Sequence, residues 1–522
     1  MLLARDGPAR SRPRVVSLER PFSNFHFVDT EYAKEHRALR RLFSRARAAR
    51  ARTLVIEDIA PAGAIADEQA ALRILDPSHH SPLLQRLTFW SSSSPDGVQL
   101  PQVSSRNLLG YALVKKDVLP ALGECRLHVF ESVFRKHDHP HNCVPGSARY
   151  PLCALGKSLV VTGVMYCQQN ALTKACAQVA LRSLLSLFHP RDDVPYSRIN
   201  QIAEPLAGVP FNPADGLDSD QLVTVIEAWG HSVRQVNYEL PGVVASDYPY
   251  DQWLYGAIES GCAGLIGFEL SGAAAGVDRH IVPFFGHTFN QDTWAPKALG
   301  AYFHVGDNLR YISSLQWMSS FIGHDDNFGS DYCIPRHFVR PEHVKFVAAV
   351  LPQRCAYHAT QAEALALQYL YSSLPDLFAT AANPWVRRIV EHVTLQEVVL
   401  RPVAVRRRQY LSFLARARDW DQCREDPVVL AALGRLLPSH LWVVEISLPD
   451  LFAANHRKVG EIVLDSQVPA RAPAGSRHLV LLRLPQWYLV PGPRFPARPE
   501  FHRLPSALTS HTSVFRYRGR LW

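Results

Sequence analysis

At 522 residues, with 47% hydrophobic and 20% charged side chains, the chain has the make-up of a folded protein and exceeds one ordinary core, so two or three domains are expected. No run approaches the roughly eighteen apolar residues of a membrane span, and the opening MLLARDGPARSRPR lacks a signal-peptide hydrophobic stretch, which predicts a cytoplasmic protein with no membrane span. The net charge of +9 is concentrated, since residues 1–52 hold thirteen Arg or Lys against five Asp or Glu and the rest is nearly neutral, so nucleic acid is not the expected partner.

Residues 1–20, rich in Pro and Arg, read as loosely attached. From about 30 to 52 the spacing predicts a basic helix with a sparse apolar stripe through Tyr32, Leu39, Leu42 and Phe43, more in keeping with a solvated face than a binding surface. RTLVIEDI at 52–59 predicts a strand, followed by an Ala-rich helix to about Leu75. SSSSPDG at 91–97 predicts a loop, and NLLGYALVKKD and CRLHVFESVF predict paired strands. KHDHPHNC brings His137, His139, His141 and Cys143 together. Pro140 makes this a loop, and without a second cluster at zinc spacing or any Cys-x-x-Cys among the nine cysteines, no metal is expected and the thiols are expected to be reduced.

The stretch 160–188, VVTGVMYCQQNALTKACAQVALRSLLSLF, organises the middle of the chain. Its β-branched start predicts a strand, Gln168, Gln169 and Asn170 break it, and apolar residues at helical spacing resume after Cys176. Thr173 can cap that helix and Pro190 ends it. A thiol in the first turn meets unpaired N–H groups and the positive end of the macrodipole, which predicts a lowered pKa and a cysteine nucleophile. A glutamine a few residues before a helix-opening cysteine, here Gln168 or Gln169, resembles the arrangement in papain-like cysteine peptidases, and that resemblance implies a side-chain amide for an oxyanion hole.

Further on, Asp218 or Ser219 can cap a helix over about 221–229 that Gly230 stops, and a strand follows at 233–238. YDQWLYGAIESG predicts a helix ended by Gly261, and LIGFEL a strand. In DRHIVPFFGHTFN, His280 opens an apolar strand over 281–285 that is expected to turn at Gly286, and a rigid strand is a good mount for a general base. His287 is the competing candidate. YISSLQWMSS from 311 predicts a helix, leading to His324, Asp325, Asp326, Asn327 and Gly329, where Asp325 or Asp326 can orient the base.

Residues 150–340 therefore resemble the papain-like cysteine peptidases, the closest branch being the bacteriocin-leader (double-glycine) peptidases. The matching residues are Gln169, Cys176-Ala177, Gly216-Leu217, Glu227-Ala228-Trp229-Gly230, His280 with the strand to Gly286, and Asp325-Asp326. The order Cys, His, Asp is the family's own, although Cys-Ala stands for the commoner Cys-Gly and Asp-Asp-Asn-Phe-Gly for Asp-Pro.

What the resemblance implies is an α+β fold with a papain-like core at 151–340, flanked by a basic segment (1–52), an α/β region (53–150) and an α+β C-terminal domain (341–522). It also implies a hydrolase of peptide or isopeptide bonds that needs no cofactor and takes a peptide or protein substrate. The alternatives are a deamidase or acyltransferase on the same fold, or an inactive module that holds a protein partner. In the last third, 344–351 predicts a strand, QAEALALQYLYSSL and PWVRRIVEHV helices, and 403–420 a salt-bridged helix. LWVVEISLPDLF, KVGEIVLDS and HLVLLRLPQWYLV predict three strands of a lobe that could bind a partner.

Overall fold

The computed structural model describes all residues except 1–11, 33–35, 94–104, 136–141, 171, 173–175, 207–215, 246, 270–278, 290–301, 306–308, 337, 353, 380–381, 470–477, 494–499 and 518–522. The histidines His137, His139 and His141 and the expected cap Thr173 lie outside the described residues.

Three sheets organise the chain, with elements numbered in chain order. Sheet I runs β1 (Arg14–Ser17), β2 (Thr53–Asp58), β3 (His80–Trp90), β4 (Leu108–Leu119), β5 (Glu124–Arg135), β8 (Lys157–Tyr166) and β7 (Ala148–Ala154). Sheet II runs β15 (Gly329–Pro335), β14 (Met318–Asp325), β11 (Arg279–Phe289), β10 (Gly264–Glu269), β16 (Val344–Leu351) and β9 (Ser232–Asn237), with the short β6 (Asn142–Cys143) also paired to β11. Sheet III runs β12 (Tyr302–Val305), β13 (Leu309–Ser313), β17 (Val399–Arg406), β18 (His440–Ser447), β20 (Gly460–Asp465), β21 (Leu479–Leu484), β22 (Trp487–Pro491) and β23 (Phe501–Pro505). The small pair β19 (Arg457–Lys458) and β24 (Thr512–Ser513) lies apart. Among the described pairings all are antiparallel except β13 with β17. Antiparallel sheets faced by helices make the fold α+β.

The helices are α1 (Asn24–Tyr32), α2 (Arg37–Ala48), α3 (Gly63–Leu75), α4 (Cys176–Phe188), α5 (Tyr196–Ala203), α6 (Ser219–Ala228), α7 (Tyr250–Glu259), α8 (Ala359–Ser372), α9 (Leu374–Ala379), α10 (Pro384–Thr394), α11 (Arg407–Leu414), α12 (Pro427–Leu436) and α13 (Pro449–Asn455). None among the described residues is long and apolar enough to cross a membrane. Asp218 caps α6 through a capping box with Gln221, and Gly230, at φ 83°, supplies the left-handed turn that stops it.

Sheet II is covered on both faces, which explains its near-continuous apolar strands. Ile281, Phe285, Ala348 and Val350 join one core with α4, while Val282, Phe284, Val347 and Ala349 join another with α7 and α8. Sheet I is likewise two-sided: Val55 faces the α4 core, and Leu54 and Ile56 face Leu39, Leu42 and Phe43 of α2. In sheet III a row of buried charges crosses the strands in register, Arg401 opposite Glu445, Glu445 opposite Glu461, and Glu461 opposite Arg483. Lys458 bridges the two adjacent glutamates and keeps the row balanced.

Several local expectations are corrected. Residues 14–17 pair with β2, so part of the Pro- and Arg-rich start is held by ladder hydrogen bonds. The single helix expected over 30–52 is two, and its apolar stripe is fully buried. Residues 309–317 form a strand and one 3₁₀ turn in place of a helix, because tertiary pairing to β17 overrides the helical spacing. β11 does not turn at Gly286 but bulges there and continues to Phe289. Residues 403–414 divide between β17 and α11, 415–420 are irregular, and 478–490 folds back as the β21–β22 hairpin.

The boundaries expected at 150 and 340 pass through sheets. β7 and β8 complete sheet I, β12 and β13 begin sheet III before 340, and β16 sits inside sheet II after it. Edge selection by distant strands leaves no mark in composition.

Candidate active site

Strand β8 ends at Tyr166, and the following loop delivers the chain to the first turn of α4. Ala177, Ala180, Leu181, Leu184 and Leu185 are buried, and the helix packs against β11. Cys176 is the first helical residue and is half-buried. Its electrostatics overturn the lowered pKa expected of it. Burial pushes the thiol up, the nearby Asp326 carboxylate pushes it further, and the N–H groups of Ala177 and Cys176 offset only part, leaving it at about 11. Desolvation of a thiolate exceeds what a helix terminus returns.

His280 is the second residue of β11, beyond the last rung of the ladder with β14, where the end of β14 turns around it. Its Nε2 lies 3.3 Å from Asp325 Oδ2 and 3.4 Å from Asp326 Oδ1. Phe268, its cross-strand partner, meets the imidazole edge-on at 5.6 Å. Burial alone would lower the His280 pKa, but the Asp325 hydrogen bond and the charges of Asp326 and Asp325 raise it above its ordinary value.

The two aspartates differ. Asp325 Oδ1 accepts the N–H groups of Asn327 at 2.9 Å and Phe328 at 3.0 Å, an Asx turn that fixes its side chain. Against a burial that would raise it, the His280 hydrogen bond and charge and those two N–H groups hold its pKa below the usual value. Asp326 has no hydrogen bond to either side-chain oxygen among the described residues. Burial, opposed by His280 and reinforced by Asp325, brings it up to about 6. One carboxylate is thus a fixed anion and the other sits on the edge of protonation.

The two glutamines separate as well. Gln168 exchanges hydrogen bonds with the Val129 backbone, its Oε1 accepting at 2.9 Å, and so ties the loop to β5. Gln169 Nε2 donates to Asn327 Oδ1 at 3.4 Å, joining the segment before α4 to the turn that carries the aspartates. Sequence reasoning placed Asn327 in this cluster but gave it no role, and it missed Tyr166, whose hydroxyl approaches the Asp326 carbonyl at 3.5 Å. The Asp-Asp-Asn string carried a turn signal that would have singled out Asp325.

His280, Asp325, Asp326 and Gln169 therefore meet at the margin of sheet II, and Cys176 joins them through the field of Asp326. Among the described residues Cys176 Sγ makes no hydrogen bond to His280 in this resting arrangement. The ligating atoms of His280, Asp325 and Asp326 lie within 4.8 Å of one another, but the imidazole hydrogen bond and the Asx turn already engage them.

His287 belongs elsewhere. It is fully buried, hydrogen-bonded to Glu259, and paired across strands with Cys143. Burial opposes it, yet Cys143 and Glu259 bring the His287 pKa to about 9, while Arg401 and His287 overcome burial to hold Glu259 at about 2. Cys143, Glu259 and His287 could offer three metal ligands, but the Arg401 guanidinium already neutralises Glu259. This cluster continues the buried charge row of sheet III. Surveys of family models, curated proteins and solved structures yield no match to the chain.

Proposed function

We propose that the protein is a papain-like cysteine hydrolase that cleaves a peptide or isopeptide bond in a reduced, cytoplasmic setting. The observation that carries the reading is the His280–Asp325 pair. Asp325 occupies Nε2, which leaves Nδ1 as the nitrogen available to a thiol, and the helix that opens with Cys176 packs on the strand that holds the imidazole. All nine cysteines are free, as a reducing compartment requires.

With the thiol at about 11, the resting nucleophile is protonated. His280 acts as general base when an acyl group binds and the sulfur and imidazole close up, Cys176 Sγ attacks the carbonyl carbon, and the proton passes from His280 to the leaving amine. Asp325 fixes the imidazole tautomer and stabilises the imidazolium. The Cys176 N–H and the Gln169 amide serve the oxyanion, and water then releases the acyl group.

The test is acyl trapping with p-nitrophenyl acetate followed by intact mass and peptide mapping. A hydroxylamine-labile acetyl group is expected on Cys176, absent in Cys176→Ala and slowed roughly a hundredfold or more in His280→Ala. Equal acetylation in His280→Ala would remove the base and with it the hydrolase reading, leaving an inactive papain-like module that holds a protein partner.

A further inference from the structure

At the opposite end of α4 from Cys176, a cavity of about 1310 Å³ opens between the helix terminus, β7, β8 and the start of α11. Six arginines line it: Arg149, Arg191, Arg354, Arg406, Arg407 and Arg408. Asp192 is the one carboxylate among the described lining residues, and it faces His189 at 3.6 Å. Arg149, Arg191, Arg354, Arg407 and Arg408 enter no ion pair among the described residues. Arg407 and Arg408, expected to sit in a salt-bridged helix, line the cleft. On the wall, His189 and His231 touch through their Nε2 atoms at 2.9 Å, and the His231 ring lies 4.3 Å from that of Phe188.

Like charges gathered around a concave cleft focus a positive field, and such a field attracts anions. Guanidinium forks match phosphate oxygens two at a time. We infer that this cleft binds a small ligand carrying several phosphate groups. A single isolated anion would leave most of the arginines unanswered, whereas a compact polyphosphate answers them together. A nucleic acid would call for a basic stripe running over the surface, and beyond residues 1–52 the chain is nearly neutral, so the charge here is a point and not a track. The volume is ample for a nucleotide or a polyphosphorylated ring.

Calorimetry on the full chain tests this with inositol hexakisphosphate, ATP, inorganic tripolyphosphate and a single-stranded RNA of twenty nucleotides. At least one small polyphosphate is expected to bind once per chain at roughly micromolar affinity near physiological salt. Arg354→Glu with Arg408→Glu should weaken it at least roughly tenfold, and Arg126→Glu, remote on β5, should not. The paired variant loses only exposed side chains that enter no ion pair among the described residues, and its unchanged melting temperature would certify the fold. Arg408→Ala gives a milder second reading in the same direction. Absence of binding by all three small anions, binding indifferent to the arginine variants, or RNA binding that grows with length would overturn the inference. None of these outcomes bears on Cys176, so this site and the hydrolase reading fail separately.

Discussion

Asp326→Asn removes a carboxylate that the fold holds at a cost. The residue is 6% exposed, without a hydrogen bond to its oxygens among the described residues, and burial first and Asp325 second bring it to about 6 against 3.8 for an ordinary aspartate. Because the folded-state pKa is the higher, the folded protein takes up an extra proton between those values. Stability is therefore greatest below the unfolded pKa and is lost as pH rises through 6. At about 1.4 kcal/mol per pH unit, the loss above that window amounts to as much as about 3 kcal/mol.

Asp326→Asn is accordingly expected to exceed the parent by up to about 3 kcal/mol at pH 8 and to match it at about pH 3.5, in urea titrations followed by tryptophan fluorescence. The same change relieves Cys176, whose thiol owes its elevation first to burial and second to Asp326. Iodoacetamide labelling of Cys176 at pH 8, mapped by mass spectrometry, should accelerate roughly tenfold. If the variant is no more stable at pH 8 and Cys176 labels at the parental rate, the carboxylate is solvated in solution and the reasoning fails.

Asp325→Ala should lower the His280 pKa, seen by NMR titration of the imidazole, and cut acetylation of Cys176 by about 10² or more, since both the orienting bond and the anion are lost. Gln169→Ala should slow acyl transfer by about 10²-fold while leaving the melting temperature in place, whereas Gln168→Ala should lower stability by about 1 kcal/mol through its bond to Val129. Glu259→Gln should cost about 3–5 kcal/mol in urea unfolding, because Arg401 and His287 are left uncompensated in the core. His287 carries a raised folded pKa, so its contribution is fully present below about 6.5 and lost as pH rises through 9; thermal melts from pH 6 to pH 10 should decline in that window and flatten in His287→Gln.

Much of this architecture was legible before any coordinates. Period-two and period-3.6 patterns mark β4, β5, β8, β10, β16, α4, α6, α7, α8 and α10, because each has at least one face committed to a core and the pattern records that commitment. A cap at Asp218 or Ser219 and the Gly230 stop are local chemistry, readable from a few residues, and the structure selects Asp218. The sequence likewise nominated Cys176, His280, Asp325, Asp326 and Gln169, each by its place at the start or end of an element.

What only tertiary structure decided is non-local. Which strands share a sheet depends on edges separated by hundreds of residues, so β16 enters sheet II and β12 enters sheet III without any sign in composition. Protonation was decided the same way. The helix terminus at Cys176 is a sequence feature that favours thiolate, but burial by packed neighbours and the Asp326 carboxylate, from the turn after β14, reverse it, because desolvation and Coulomb energy are summed over space and not along the chain. The arginine cleft shows the same dependence: Arg149, Arg191, Arg354 and Arg408 belong to four separate segments, and their charges become one field only when the chain has folded.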